Sequence, residues 1–400
     1  MSNKKLHYFN PGHETAISNG SLYYTPPANI AKMQQDLAYL PAWSAEAKDY
    51  VFLEEELPDS FKNYISDNLN PIAQGITVAE LGTKQIPCLV KPWGISPQVI
   101  HYFDTTNNQY RLNLEIARWN SALEHLSSRK NAQICLSELC SSIPQISPSI
   151  IPCFYENLSD IEQLVEAKDY QLLAKAPYSS SGRGLLWLPI GELTRTERQI
   201  LHGMLKKQTC VSVEKALDKQ LDFAMEFLIS DQSTSSFEGY SLFDTNKKGA
   251  YLGNYIGSQS SIESKISSYI DIRLLDMVKD KLKQILQSQF SSIYSGFIGV
   301  DMLIYKEGDA YKLNPCVEIN VRNNMGLTAI AISKHYIAPD KEGRFYIDFS
   351  ATEGELKQLD KQMKEEYPAT FYDGKMQSGY LSLCPVTTNS RYRAYIIIKN

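Results

Sequence analysis

No apolar run in this 400-residue sequence approaches the ~20 residues that a bilayer-spanning helix requires. The first ten residues, MSNKKLHYFN, hold no apolar stretch of the signal-peptide kind. Both absences predict a chain with no membrane partner. Cysteine is scarce and scattered: the seven thiols are odd in number, and none falls in a CxxC pair. That pattern argues against a disulfide framework and a zinc site and, without a secretion signal, predicts reduced thiols and a cytoplasmic location. An excess of positive charge is missing as well. Lys and Arg number 40 against 45 Asp and Glu, a net charge of −5, which argues against a nucleic-acid partner because that needs a basic stripe. No GxxxxGK[ST] phosphate loop, internal repeat or low-complexity tract is present.

What is there is ordinary in bulk and specific in pattern. Apolar residues at 43% and charged residues at 21% describe a globular chain, and its length implies two or three domains. Residues 4–10 predict a strand that ends in the loop Asn10-Pro11-Gly12-His13-Glu14-Thr15. Strand ends of this kind are where α/β proteins place ligand-binding groups. His13 and Glu14 are therefore candidate substrate contacts, beside the alternative of a plain capped turn. Ile30, Met33, Leu37 and Leu40 give residues 28–40 a helical stripe. Residues 51–57 and 86–94 read as further strands, and Trp93 at the exit of the second is the third substrate candidate. Leu112, Ile116, Trp119, Leu123 and Leu126 predict a helix over 110–127, closing a small α/β domain. Prolines at 144, 148 and 152 rule out helix there and mark the entry to a second domain.

In that second domain a helix over 158–168 leads to a strand at 171–176. Then come Pro177-Tyr178-Ser179-Ser180-Ser181-Gly182-Arg183-Gly184 and a second strand, LLWLP. Gly and Ser in such a loop let backbone N–H groups approach an anion, and Lys175 at its base adds a compact positive charge. A plain flexible hairpin is the alternative. A helix over 192–207, strands at 210–217 and 221–229, a hairpin over 237–257, a Ser-rich loop over 258–268 and a helix over 272–289 follow. Glu214, Asp218, Asp222 and Glu226 decorate the strand pair and read as solvated acids.

Residues 297–326 organise the rest. Strand alternation puts Ile298, Val300, Met302 and Ile304 on one face and Gly299, Asp301 and Leu303 on the other. In the next run Val317, Ile319 and Val321 share a face, leaving Glu318, Asn320 and Arg322 opposite. Two carboxylates and an amide suit a hard divalent cation, and a guanidinium suits its phosphates; an ordinary hairpin with one solvated face is the alternative. A regular turn at Gly308 sets Asp301 opposite residue 315, ~10 Å along the strand from Glu318. An irregularity at Asn314-Pro315 would bring the two acids back together.

Taken in order, these features resemble the ATP-grasp superfamily over roughly residues 128–330. Lys175 and Ser179–Gly184 match its strand lysine and phosphate-covering loop. Glu214-Lys215-Ala216-Leu217 is similar to the hinge of D-alanine–D-alanine ligases, with Asp222 where the ribose acid falls. Asp301 and Glu318-x-Asn320 match the metal triad, and Arg322 resembles the variants whose Arg reaches phosphate or a carboxylate substrate. The resemblance implies an α/β and α+β protein: an N-terminal α/β domain over 1–127, then an ATP-grasp fold of two subdomains over 128–215 and 216–400. It implies ATP and Mg²⁺ (or Mn²⁺) as cofactors. Lys175, Ser179, Ser180, Ser181, Gly182, Arg183, Gly184, Glu214 and Asp222 would lie at the nucleotide, Asp301, Glu318 and Asn320 at the metal, and Lys175 and Arg322 would act in catalysis. The implied reaction joins a small-molecule carboxylate to an amine or thiol through an acyl phosphate. A kinase of the same fold and a non-catalytic nucleotide-binding protein are the alternatives, and family members are often homodimers. Two departures stand out. The earlier ATP-binding lysine of the family has only Lys130 as a nearby candidate, and no Arg directly precedes Asp301, which leaves Arg322 or Arg273 for that place.

Overall fold

Short apolar runs, each closed by a turn, build the first sheet of the computed structural model, which describes residues 4–179, 184–230, 232–246 and 249–399. Strands β1 (Lys4–Tyr8), β2 (Tyr50–Leu53), β3 (Gln74–Thr77), β4 (Cys88–Pro92) and β5 (Leu114–Glu115) lie parallel in the order β3-β2-β1-β4-β5. Parallel strands are covered on both faces, so their sequences are apolar without strict alternation. Leu6, Phe52, Ile76 and Val90 pack with Phe103 of the helix Pro97–Tyr110. Val51 and Leu53 instead join a core that contains Leu37, Leu40 and Trp43. The strand order reverses between β1 and β4, the place where open parallel sheets bind ligands.

The chain forms two compact units, one of Met1–Trp119, Leu252–Ile262 and Arg322–Asn400, the other of Asn120–Tyr251 and Glu263–Val321. The helix expected over 110–127 is absent. The helix Pro97–Tyr110 stops at Arg111, whose φ of 51° is left-handed. The Asn107 side chain then captures the returning backbone, accepting from Leu114 N at 3.2 Å. That contact lets Leu114 pair with β4, and helix resumes only at Ala122–Leu126.

In the second unit, β6 (Cys153–Tyr155), β7 (Leu172–Lys175), β8 (Leu185–Leu188) and β9 (Val211–Lys215) form an antiparallel sheet in the order β6-β9-β7-β8. The helices Leu158–Glu166 and Arg195–Gln208 bury Ile161, Val165 and Leu201 against it. Next come β10 (Asp218–Ile229), β11 (Ser235–Thr245), β12 (Tyr251–Ile256), β13 (Gly296–Glu307) and β14 (Ala310–Asn320). The series β14-β13-β10-β11 is antiparallel throughout. Its apolar face buries Phe223, Met225, Ile298, Val300, Met302 and Ile304. The helices Arg129–Ser142 and Ile272–Phe290 pack on these strands. In the latter helix Leu275, rather than the expected Leu274, takes the buried position. The Ser-rich segment expected as a loop is the helix Gln259–Ser267: Ser258 Oγ accepts from Ser261 N at 3.1 Å, and Ile262 and Ile266 are buried.

The first unit is completed by β15 (Gly343–Phe349), β16 (Thr370–Tyr372), β17 (Lys375–Ser382) and β18 (Tyr392–Ile398), in the series β12-β15-β18-β17-β16. The terminal YRAYIII run is tucked between β15 and β17. Trp43 ties this layer to the rest of the unit, donating from Nε1 to Leu383 O at 2.7 Å.

Buried Asp49 fixes the start of the parallel sheet, accepting from Lys5 N at 3.0 Å and facing His7 Nε2 at 3.3 Å. Burial raises its pKa, but the His7 and Lys5 hydrogen bonds and charges outweigh that and hold the carboxyl below the usual aspartate range. A depressed folded pKa stabilises above the unfolded value, about 4, and that stability is lost as pH falls through the folded value. Asp49→Asn should therefore cost about 1.5–3 kcal/mol at pH 7. In urea unfolding across pH 7 to 2.5 the gap from wild type should close on the acid side. A gap that stays constant with pH would contradict this role.

Candidate functional site

The hairpin β13–β14 turns at Gly308, where φ is +61°, and pairs regularly from Glu307–Ala310 to Leu303–Asn314. The register then shifts. Asp301 pairs with Glu318, Val300 with Ile319 and Gly299 with Asn320. Four residues of β14 have advanced against two of β13. The sequence Asn314-Pro315 supplies the cause: proline has no N–H for the ladder, and Asn314 Oδ1 accepts from Cys316 N at 3.3 Å. The Cys316 thiol turns to the core, 3.5 Å from Ala132 O. The irregularity expected at Asn314-Pro315 is thus present, and it sets the two acids directly opposite each other.

Directly paired residues share a sheet face, so Asp301, Glu318 and Asn320 project together. Gly299 beside Asn320 adds no side chain. Among the described residues no group of three or more His, Cys, Asp or Glu is arranged to hold a metal ion. The donor set here is instead two carboxylates and an amide, hard oxygens of the kind that Mg²⁺ or Mn²⁺ takes when phosphate oxygens complete the shell. Glu226 lies in the next row, paired with Gly299. It is not the solvated acid expected from sequence: it is 1% exposed, and its Oε1 accepts from Ser241 Oγ at 3.0 Å.

Two cations stand at the base of the small-residue loop. Lys175, at the end of β7, is buried and pairs with Glu214 of β9, Nζ to Oε1 2.6 Å. The second is Arg129, which sequence reasoning passed over for Lys130. Ser128 caps the helix Arg129–Ser142, and Arg129 falls in phase with the buried Ala132, Leu136 and Leu139. Lys130 falls out of phase and sits exposed, its Nζ 5.6 Å from the Phe154 ring centroid. Helical phase was the signal that could have separated the two. Arg129 Nη1 donates to Ala176 O and Ser179 Oγ, both at 2.6 Å, and Nη2 to Glu318 Oε2 at 2.7 Å.

The loop itself is closed at its ends. Ala176 N donates to Gly184 O at 2.9 Å. Gly184 has φ +92°, and a Cβ there would meet Ser179 Cβ at 2.8 Å, so glycine is required. The Gln208 amide holds Tyr178 by both backbone groups, at 2.8 and 2.9 Å. Ser180, Ser181, Gly182 and Arg183 lie outside the described residues. Asp222 on β10 pairs with Lys219 at 2.5 Å and accepts from Thr245 Oγ1 at 2.7 Å. Arg273 pairs with Asp271 on an exposed helix end.

In the first unit His13 and Glu14 open the helix Asn19 closes, His13–Asn19, directly after β1. Both are buried. Glu14 pairs with Arg322 Nε and lies 3.1 Å from His13 Nδ1. Burial raises the Glu14 pKa, yet Arg322 and His13 more than offset it and hold the carboxyl far below its usual range. Asn10 clamps Gly94 from both sides, Nδ2 to Gly94 O at 2.7 Å and Gly94 N to Oδ1 at 3.1 Å. A Cβ on Gly94 would meet His13 Cγ at 2.2 Å. The Trp93 ring packs edge-on against Phe9 at 5.1 Å, and it is the backbone N–H and C=O of Trp93 that bond Tyr8 and Asn323.

No family model matches the chain, and no curated protein matches it in sequence. Among solved structures it is similar to biotin carboxylase from Campylobacter jejuni in its β,γ-ATP complex. The TM-score is 0.51 at 10% identity, over 99% of this chain and 87% of that one. N5-carboxyaminoimidazole synthetase from Staphylococcus aureus complexed with ADP gives a TM-score of 0.47 at 12% identity, over 99% and 93%. At 10% identity the likeness to the biotin carboxylase is one of fold. The parallel N-terminal sheet and the antiparallel sheets that follow agree with the α/β and α+β class that the resemblance implied, and the chain has the ATP-grasp fold.

Proposed function

We propose that the chain is an ATP-dependent ligase that joins a small-molecule carboxylate to an amine or thiol. The observation that carries this reading is the register of β13 on β14, which pairs Asp301 with Glu318 beside Asn320. An oxygen of the substrate carboxylate attacks the γ-phosphorus of ATP, and the bond to the β–γ bridging oxygen breaks to release ADP. The amine nitrogen or thiol sulfur then attacks the acyl carbon of the resulting acyl phosphate. Phosphate leaves with the bonding pair, and the nucleophile loses its proton. Chemistry of this kind needs positioning and charge neutralisation more than a nucleophile from the protein.

Asp301, Glu318 and Asn320 would hold Mg²⁺ or Mn²⁺, which when bound neutralises phosphate oxygens. Lys175 and Arg322 would offset charge on the transferring group, and the backbone of Ser179–Gly184 would cover the phosphates. Glu214 and Asp222 are assigned to the nucleoside end. His13, Glu14 and Trp93 are assigned to the substrate, at the carboxyl ends of β1 and β4 where open parallel sheets bind ligands.

Two measurements test this. Mg-ATP should raise the thermal midpoint by mass action, on the order of a few degrees at a hundredfold excess over Kd, and Glu318→Ala should abolish that rise. Hydroxylamine added to Mg-ATP and a carboxylate pool should yield a hydroxamate with ADP. No shift at millimolar Mg-ATP, or a stable phosphorylated product with no hydroxamate, would contradict the ligase reading. For the substrate assignment, Gly94→Ala should displace the His13 ring and lower kcat/KM about tenfold or more while the nucleotide-induced rise is kept. Unchanged kcat/KM would remove His13 from the site.

A further inference from the structure

A cavity of about 670 Å³ in the first unit opens over the carboxyl ends of β1 and β2, a size within the range of small-molecule sites. Its floor is Tyr8 and Phe9 at the end of β1 and Phe52 and Leu53 at the end of β2. One wall is the helix Ala28–Asp36, where Ala28 and Ala31 carry too little side chain to fill the space. Glu54, Glu55 and Glu56 follow β2 and stand exposed at the rim. The cavity lies on the β2 side of β1, whereas the His13 ring rests against Gly94 beyond β4.

Among the described residues that line this cavity, four carboxylates stand against a single ammonium. The ammonium is Lys32, and it is already matched: its Nζ lies 2.8 Å from Oδ1 of Asp36, whose side chain is 5% exposed. The other Asp36 oxygen accepts from Arg391 N at 2.7 Å and Tyr392 N at 3.1 Å. Lys32 and Asp36 therefore cancel, and Glu54, Glu55 and Glu56 set the field. Deeper in, Gln34 Nε2 donates to the Tyr8 phenol at 2.6 Å. Burial, with Tyr102 and Glu54 beside it, pushes that phenol well above its ordinary pKa, so it adds a neutral hydroxyl to the cavity and no charge. We propose that this cavity binds a small organic cation, a primary ammonium at the Glu54–Glu56 end with an apolar body along Ala28, Ala31 and the aromatic floor. The carboxylates alone would be an ordinary solvated run. The cavity beside them supplies the room and the apolar contact that an ammonium-bearing ligand needs. An anion would meet three carboxylates with the lysine already paired, and a neutral alcohol would forgo the charge-assisted bonds. The inference does not depend on the ligase reading: the ligand class is the same whether the amine is consumed or only bound.

The test is a ligand-observed NMR titration of the full chain with three probes that share one body and differ in head group: benzylamine, benzyl alcohol and benzoate. Benzylamine should bind at least about tenfold more tightly than the other two at low salt, and about 1 M NaCl should remove most of that margin. Ala31→Trp, at an exposed helix position on the cavity wall, should fill the space and abolish benzylamine binding. Glu54→Gln, Glu55→Gln and Glu56→Gln combined should bring benzylamine down to the level of the alcohol. Benzoate or benzyl alcohol binding as tightly as benzylamine would overturn the inference, and so would benzylamine binding that Ala31→Trp leaves unchanged. A further arm adds Mg-ATP and the carboxylate pool. Conversion of benzylamine to an amide with release of ADP assigns the cavity to the amine substrate, and binding without turnover assigns it to an amine that is not consumed. Either supports the inference, and a failure of the ligase reading leaves it standing.

Discussion

Asp301 and Glu318 face each other because β14 gains two residues on β13 between Asn314 and Glu318. Side chains alternate across a sheet, so a one-residue slip would turn Glu318 and Asn320 into the core. A two-residue gain keeps them on the polar face and moves them about 7 Å along the strand. The helix Arg129–Ser142 serves this geometry at two points. Its Ala132 carbonyl receives the Cys316 thiol of the irregular segment, and one turn earlier Arg129 meets Glu318. Packing and charge placement at the site thus come from one helix against one strand.

The buried and half-buried cations of the candidate site each have an anionic partner within the unit that carries them. Lys175 has Glu214 and Arg129 has Glu318 in the second unit, and Arg322 has Glu14 in the first. Removing an ion from water costs several kcal/mol, which only a close counter-charge offsets. Neither Lys175 nor Arg129 is therefore a bare positive charge among the described residues. In the first unit the depressed Glu14 carboxyl shows the same logic, since burial alone would have driven it the other way.

Much of this was legible in the sequence because strand alternation is a local signal. The faces of β13 and β14, the strand–loop–strand around Lys175 and the inserted terminal strand all follow from period-two patterning and turn residues. What escaped depended on contacts distant in sequence or on competing local bonds. The apolar stripe over 110–127 suggested a helix, but the Asn107 amide and the pairing of Leu114 with β4 prevailed. The Ser-rich segment 258–268 looked like a loop, yet two buried isoleucines four residues apart made it helical. Charge type alone favoured Lys130 as the earlier cation, whereas helical phase puts Arg129 inward. Glu226 read as solvated because nothing in the sequence announces its Ser241 partner, fifteen residues away across a hairpin.

The most direct measurement is a crystal structure with Mn²⁺ and ATP or ADP, the metal located by its anomalous scattering. The predicted result is a single peak about 2.0–2.3 Å from oxygens of Asp301, Glu318 and Asn320. A nucleotide-bound structure whose metal lies away from these three residues, or whose Asp301 and Glu318 are no longer paired across the hairpin, would contradict it.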